Sequence, residues 1–246
     1  MGRESTSASS RSDNPQSAIR NPQSDDFTRY DQKLEFILRT AARIFAEKGY
    51  HPTTMRDISR ATRVSLAGLY YYCKSKEELL FLIQDNCFGR VLARLEERLR
   101  ETGDPAGRLR VVVENHLSFF AANMAEMKVL SHEADALAGE LHEKVSTKKQ
   151  QYTRRVRRIL AELQALDDRA RVKIDLTVAT YALFGMMNWI YNWYDPRGPL
   201  SVADLVENLT RLFLRGFNAA SDEDELTFRP ASQAVERLSV WREPST

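Results

Sequence analysis

Two stretches of the chain carry side chains at spacings that could do chemistry. The first is Thr53–Lys76, TTMRDISRATRVSLAGLYYYCKSK. Pro52-Thr53-Thr54 opens a short helix bearing Met55, Ile58 and Ala61. Ser65 is a good cap for a second short helix running to about Tyr72. Two helices this short bury too little alone, so a preceding helix must wall them in, which is the construction of a helix-turn-helix that enters a DNA groove. Its outward positions would be Ser65, Leu66, Ala67, Gly68, Tyr70 and Tyr71, followed by Tyr72. Small side chains there let the backbone approach base edges, while hydroxyls and Lys76 suit phosphate oxygens. Thr54, at a helix N-terminus, suits a second phosphate. The same residues also describe a small helical subdomain with a Tyr-rich packing face.

The second stretch is Lys148–Arg158, KKQQYTRRVRR, with six cations and no acid. On a helix, Lys144, Lys148, Arg155 and Arg158 lie near one face, and Val145, Tyr152, Val156, Ile159 and Leu163 form an apolar stripe. Such a face is either simply solvated or a dock for an anionic, phosphorylated ligand. His116, His132 and His142 have no metal-ligand spacing, and no phosphate-binding glycine loop, nucleophile elbow or paired-carboxylate motif is present. Neither a metal site nor an enzyme is therefore expected. Met124, Met127, Met186 and Met187, with Trp189 and Trp193, read as core or pocket lining.

The elements around these stretches are helical. All eight prolines fall at breaks or in tails, and apolar residues recur at helical period, as in Leu34, Ile37, Leu38, Ala41 and Phe45 ahead of Gly49. Ser75 with Glu78 forms a capping box for a helix over about 75–101. Further helices are expected near 106–122, 125–136, 139–166, 170–194 and 201–219, for about nine in an all-α fold. The 246 residues carry a net charge of +2, but residues 28–92 hold eleven basic and seven acidic side chains. That modest excess is compatible with nucleic acid and decides nothing by itself. The polar, Ser-rich residues 1–26 read as a disordered arm, and 221–246 as an acidic, mobile tail. Between them 27–92 and 93–220 form two domains. Two cysteines cannot build a disulfide framework and no secretory signal is evident, so a cytoplasmic protein is expected.

Residues 32–92 resemble the DNA-binding domain of the tetracycline-repressor (TetR) family of transcriptional regulators. The likeness rests on ILRTAARIFAEKGY, TTMRDIS and VSLAGLYYYCKSKEELL. It departs at Arg63, which occupies a turn position where the family usually has Gly, and at Cys73, where an aromatic is usual. Arg63 also places an extra cation beside the DNA. The resemblance implies a homodimer on a near-palindromic operator in double-stranded DNA, with a small-molecule inducer bound by the carboxyl-terminal helices. Leu176–Tyr194 is nineteen residues without charge, as a helix buried on both sides would be, and the intervening Thr and Asn residues argue against a membrane span. With Leu205, Leu209, Leu212 and Phe213 of the last helix it would form the dimer interface.

FGMMNWIYNWYDPRGPLS at 184–201 more loosely resembles the corresponding part of family members that regulate fatty-acid and sterol catabolism in response to acyl-CoA thioesters. That implies an apolar tunnel from Phe120, Met124, Tyr152, Met187, Trp189 and Trp193, with Arg154, Arg155 and Arg158 on the phosphates. A regulator of efflux or stress genes with a hydrophobic, drug-like effector would need the tunnel without the cations. An enzyme or carrier keeping the helix-turn-helix only as scaffold is the remaining alternative.

Overall fold

The computed structural model describes residues 22–133, 135–166 and 174–217. The expected tail, 221–246, and the first 21 residues of the expected arm lie outside them. The described residues form helices α1 (Pro22–Lys48), α2 (Met55–Thr62), α3 (Leu66–Tyr72), α4 (Lys76–Leu99), α5 (Pro105–Ala121), α6 (Met124–His132), α7 (Gly139–Ala165), α8 (Leu176–Asn188) and α9 (Val202–Phe217), with a 3-10 turn at Trp189–Asn192. Among the described residues there is no strand. Helix α1 begins at Pro22, inside the stretch expected to be disordered, because proline's fixed φ and missing N–H suit a first helical position. Helix α8 is shorter than the expected 170–194. Asp175 caps it by accepting from the N–H groups of Thr177 (2.8 Å) and Val178 (3.0 Å), and beyond Asn188 the coil tightens into the 3-10 turn.

Local chemistry sets most helix starts. Ser65 accepts from the Gly68 N–H, Ser75 from Glu78, and Asp104 from Gly107 just ahead of Pro105. Glu78 reaches back to the Lys74 N–H, one residue before the cap it was expected to serve.

Two apolar cores are joined by α4. The head core holds Ile37, Ala41 and Phe45 of α1, Ile58 of α2, Leu69 of α3, and Leu79, Leu80 and Ile83 of α4. Helices α2 and α3 contribute one large buried side chain each, about 2 kcal/mol apiece, so their placement depends on α1 and α4. Further along α4, Val91, Leu95 and Leu99 enter the body core with α5, α7, α8 and α9. Helix α6 serves both, with Met127 in the body core and Val129 in the head core.

Candidate DNA-reading head and ligand cavity

Helices α2 and α3 are joined through Arg63, the one non-glycine among the described residues with positive φ (52°), which closes α2 in the left-handed conformation. An L-residue there costs on the order of 1 kcal/mol relative to Gly, and the turn keeps its cation exposed. Outward on α3 stand Ala67, Tyr70 and Tyr71, the last 73% exposed. Tyr72 is half-buried and stacks on Tyr30 of α1 at 4.9 Å, so it braces α3 where an open contact was expected.

Several expected DNA contacts have other work. The Lys76 ammonium donates to the carbonyls of Tyr50 (2.9 Å), His51 (3.0 Å) and Thr53 (3.0 Å) and lies over the Tyr50 ring. Its three N–H donors are thereby spent, so it ties the α1–α2 loop to α4 instead of clamping phosphate. At the α2 N-terminus, Thr54 and Asp57 form a capping box, and Asp57 also takes Lys48 and Arg60. These hydrogen bonds and the Lys48 charge hold the Asp57 carboxyl well below the usual carboxylate range. A fixed carboxylate already occupies the place where Thr54 was expected to receive a phosphate. Ser65 spends a lone pair on its own cap, and Leu66 is half-buried. Gly68 has an internal reason too, since a Cβ there would meet Val64 Cγ1 at 3.0 Å and Ser65 Oγ at 3.1 Å. Cys73, the departure from an aromatic, is a buried thiol whose pKa burial pushes up to about 11.

In the body, α5, α6, α7 and α8 line a half-open cavity of about 370 Å³, with Phe88 of α4 and Tyr191 of the 3-10 turn beside them. Of the expected lining it receives Phe120, Tyr152 and Trp189, joined by His116, Met127, Leu130, Lys149, Tyr181, Phe184 and Asn188. Met187 is fully buried in the body core, Met124 packs against that core, and Trp193 is half-exposed beyond the 3-10 turn, so none of them lines the cavity. The arginines also miss it. Helical residues advance about 100° each, so α7 directs Tyr152 and Lys149 to the cavity and turns Arg155 toward α4. Arg155 there pairs with Glu96 at 2.9 Å, Arg158 pairs with Glu162 at 3.1 Å, and Arg154 donates to Gln150 at 3.3 Å. Lys149, missed by the sequence reading, is the α7 cation at the cavity.

Buried among these groups, His116 Nδ1 lies 3.1 Å from the Tyr152 hydroxyl. Burial pushes the imidazole pKa down to about 3, against a smaller opposing pull from Asn188, and raises the Tyr152 phenol. Both groups are neutral at physiological pH. Tyr152 was legible as part of the buried stripe, whereas His116 and Asn188 carried no spacing signal.

Helix α8 is apolar all round. Ala179, Leu183 and Met187 face the body core, while Val178 and Ala182 are exposed, and Tyr181, Gly185 and Trp189 are exposed but also line the cavity. Leu212 of α9 is 66% exposed. Leu205 and Phe213 differ from the expected interface role: they are buried in the body core, and Leu209 packs against it, because α9 turns its main apolar stripe onto α5. No helix among the described residues is long and apolar enough to cross a membrane.

Fold and site define a helix-turn-helix DNA reader carried on a helical ligand-binding body. Residues 37–83 match the family described as bacterial regulatory proteins, tetR family, and residues 102–217 match the tetracyclin repressor-like C-terminal domain. A TetR-family transcriptional regulator from Bordetella parapertussis is 30% identical, with a TM-score of 0.68 over 74% of this chain and 93% of that one. The chain belongs to the TetR family, and is with it a ligand-responsive, DNA-binding regulator of transcription that acts as a dimer. The structure of AibR in complex with isovaleryl coenzyme A and operator DNA is 27% identical, with a TM-score of 0.66 over 76% of this chain and 98% of that one. The fatty acid metabolism regulator protein of Bacillus subtilis is 26% identical over 164 residues, 63% of this chain and 82% of its own length.

Proposed function

We propose that this regulator represses genes of lipid degradation and is released from its operator by a long-chain acyl-CoA thioester. The carrying observation is the half-open cavity, with aromatic and aliphatic walls and one lysine at its edge. Such a cavity takes an acyl chain, while Lys149 meets a phosphate of the nucleotide part. The likeness to AibR, whose structure holds isovaleryl coenzyme A, and to a fatty acid metabolism regulator supports this choice. The protein works in the cytoplasm by binding alone, without catalysis.

DNA is read by Ala67, Tyr70 and Tyr71 of α3, with Arg63 beside them. Two copies pair through the exposed face of α8 at Val178 and Ala182 and through Leu212 of α9, which sets the spacing of the two heads on a near-palindromic operator. The division at 27–92 and 93–220 is functional and not a packing boundary, because α4 contributes to both cores. Helix α6 couples the two. Met127, Leu130 and Ser131 line the cavity, and just beyond them at the C-terminal end of the helix Glu133 accepts the Tyr50 N–H (3.2 Å), while its carbonyl accepts from Gln84 (3.1 Å). A ligand that binds better when α6 is displaced shifts the population toward heads wrongly spaced for the operator.

The test is calorimetric titration of the dimer with a long-chain acyl-CoA, its free fatty acid and CoA alone, paired with operator release. Tight binding of the thioester only, weakened by Lys149→Ala, supports the reading. Equal binding of the free acid favours the hydrophobic, drug-like effector, which the ion-paired state of Arg155 and Arg158 makes the second choice.

A further inference from the structure

Resting on the acyl-thioester reading, we propose that His116 is its specificity determinant: Nε2–H, held in place through Tyr152, donates to the thioester carbonyl oxygen inside the cavity. Its ring is fixed on three sides, parallel to Tyr152 (interplanar angle 2°) and against Phe120 and Phe184. In this arrangement the Tyr152 hydroxyl is the donor to Nδ1 across the 3.1 Å contact. That choice leaves the proton on Nε2.

His116 is only 3% exposed, and Nε2 meets no hydrogen-bond partner at normal distance and angle, although the Asn188 side chain is close enough to the ring to pull its pKa up against the larger effect of burial. His116 and Asn188 both line the cavity, whose remaining walls there are apolar: Phe120, Met127, Leu130 and Phe184. A buried donor left open in an apolar chamber selects a ligand that brings an acceptor to it, because any other ligand leaves the donor unpaired. The ring is neutral, so it suits an uncharged carbonyl. A thioester oxygen meets that demand.

The experiment titrates the full-length dimer with palmitoyl-CoA and with S-hexadecyl-CoA, the thioether that differs by lacking the carbonyl oxygen. The expected result is about tenfold tighter binding of the thioester, the worth of one hydrogen bond to a buried donor. His116→Phe should abolish the difference between the two ligands. Tyr152→Phe, which keeps the ring but frees Nδ1, should lose part of the difference. Equal binding of both ligands by the unaltered protein overturns the role of His116 and leaves the acyl-CoA reading standing. If neither binds, the effector reading falls and this inference with it. The comparison on unaltered protein decides the matter even if a variant fails to fold.

Discussion

Replacing Phe213 by Ala and, separately, Leu212 by Glu probes opposite faces of α9 through adjacent residues. Phe213 is 8% exposed within the body core, and truncating a buried Phe costs about 3–5 kcal/mol. Near the end of the last described helix, where neighbours can partly close the gap, the lower figure applies. About 3 kcal/mol lowers the melting temperature by about 6–12 °C for a body of this size. Leu212 is 66% exposed, so its replacement changes the fold of one copy by about 0.5 kcal/mol or less. At a two-fold interface, however, it is lost twice, at about 1.5 kcal/mol or more each. Dimer dissociation should therefore strengthen by about 100-fold or more, and operator affinity should fall with it. Urea melts followed by circular dichroism, paired with analytical ultracentrifugation over a range of concentrations, separate the two effects. A Phe213→Ala protein that dissociates without losing urea resistance would refute this assignment of faces. So would a Leu212→Glu protein with unaltered dimerisation.

Three further outcomes follow from the same geometry. Lys76→Met strips three loop carbonyls of their donor and should destabilise the head by about 2 kcal/mol, seen as a lower melting temperature, whereas Tyr71→Ala, which gives up only edge contacts with Tyr30 and Tyr72, should lose operator affinity with a smaller change in the melt. Arg63→Gly relieves the left-handed strain, so the head should gain up to about 1 kcal/mol in urea melts; if the cation meets phosphate, the slope of log affinity against log salt should fall by about one. For His116 the folded pKa, about 3, lies below the unfolded value of about 6.5, so the unfolded chain takes up the proton first as pH falls. Stability should then rise with pH between those values, by about 2 kcal/mol from pH 5 to 7, and denaturation curves of His116→Phe should lack that slope.

Much of the head could be read along the chain because its determinants are local. The caps at Ser65 and Ser75 and the left-handed turn at Arg63 each involve groups within a few residues. The role of Lys76 was not legible, since its acceptors lie 23 to 26 residues upstream and become neighbours only when α1, α2 and α4 pack. The same holds in the body. A run of cations on α7 reads as a free basic face until α4 supplies Glu96 and Asp85 against it.

By itself the sequence determined the nine helices found among the described residues, the caps at Ser65 and Ser75, the helix-turn-helix pairing of α2 with α3, and an apolar α8. It determined these because hydrophobic period and capping are properties of neighbouring residues. Only the tertiary structure decided that α8 turns Leu183 and Met187 inward and Val178 and Tyr181 outward, and that Phe213 belongs to the core while Leu212 stays outside. It alone brought His116, Tyr152, Lys149 and Asn188 from three helices to one cavity. A helix that is apolar all round has no preferred face of its own; the shapes of the helices packed against it choose one.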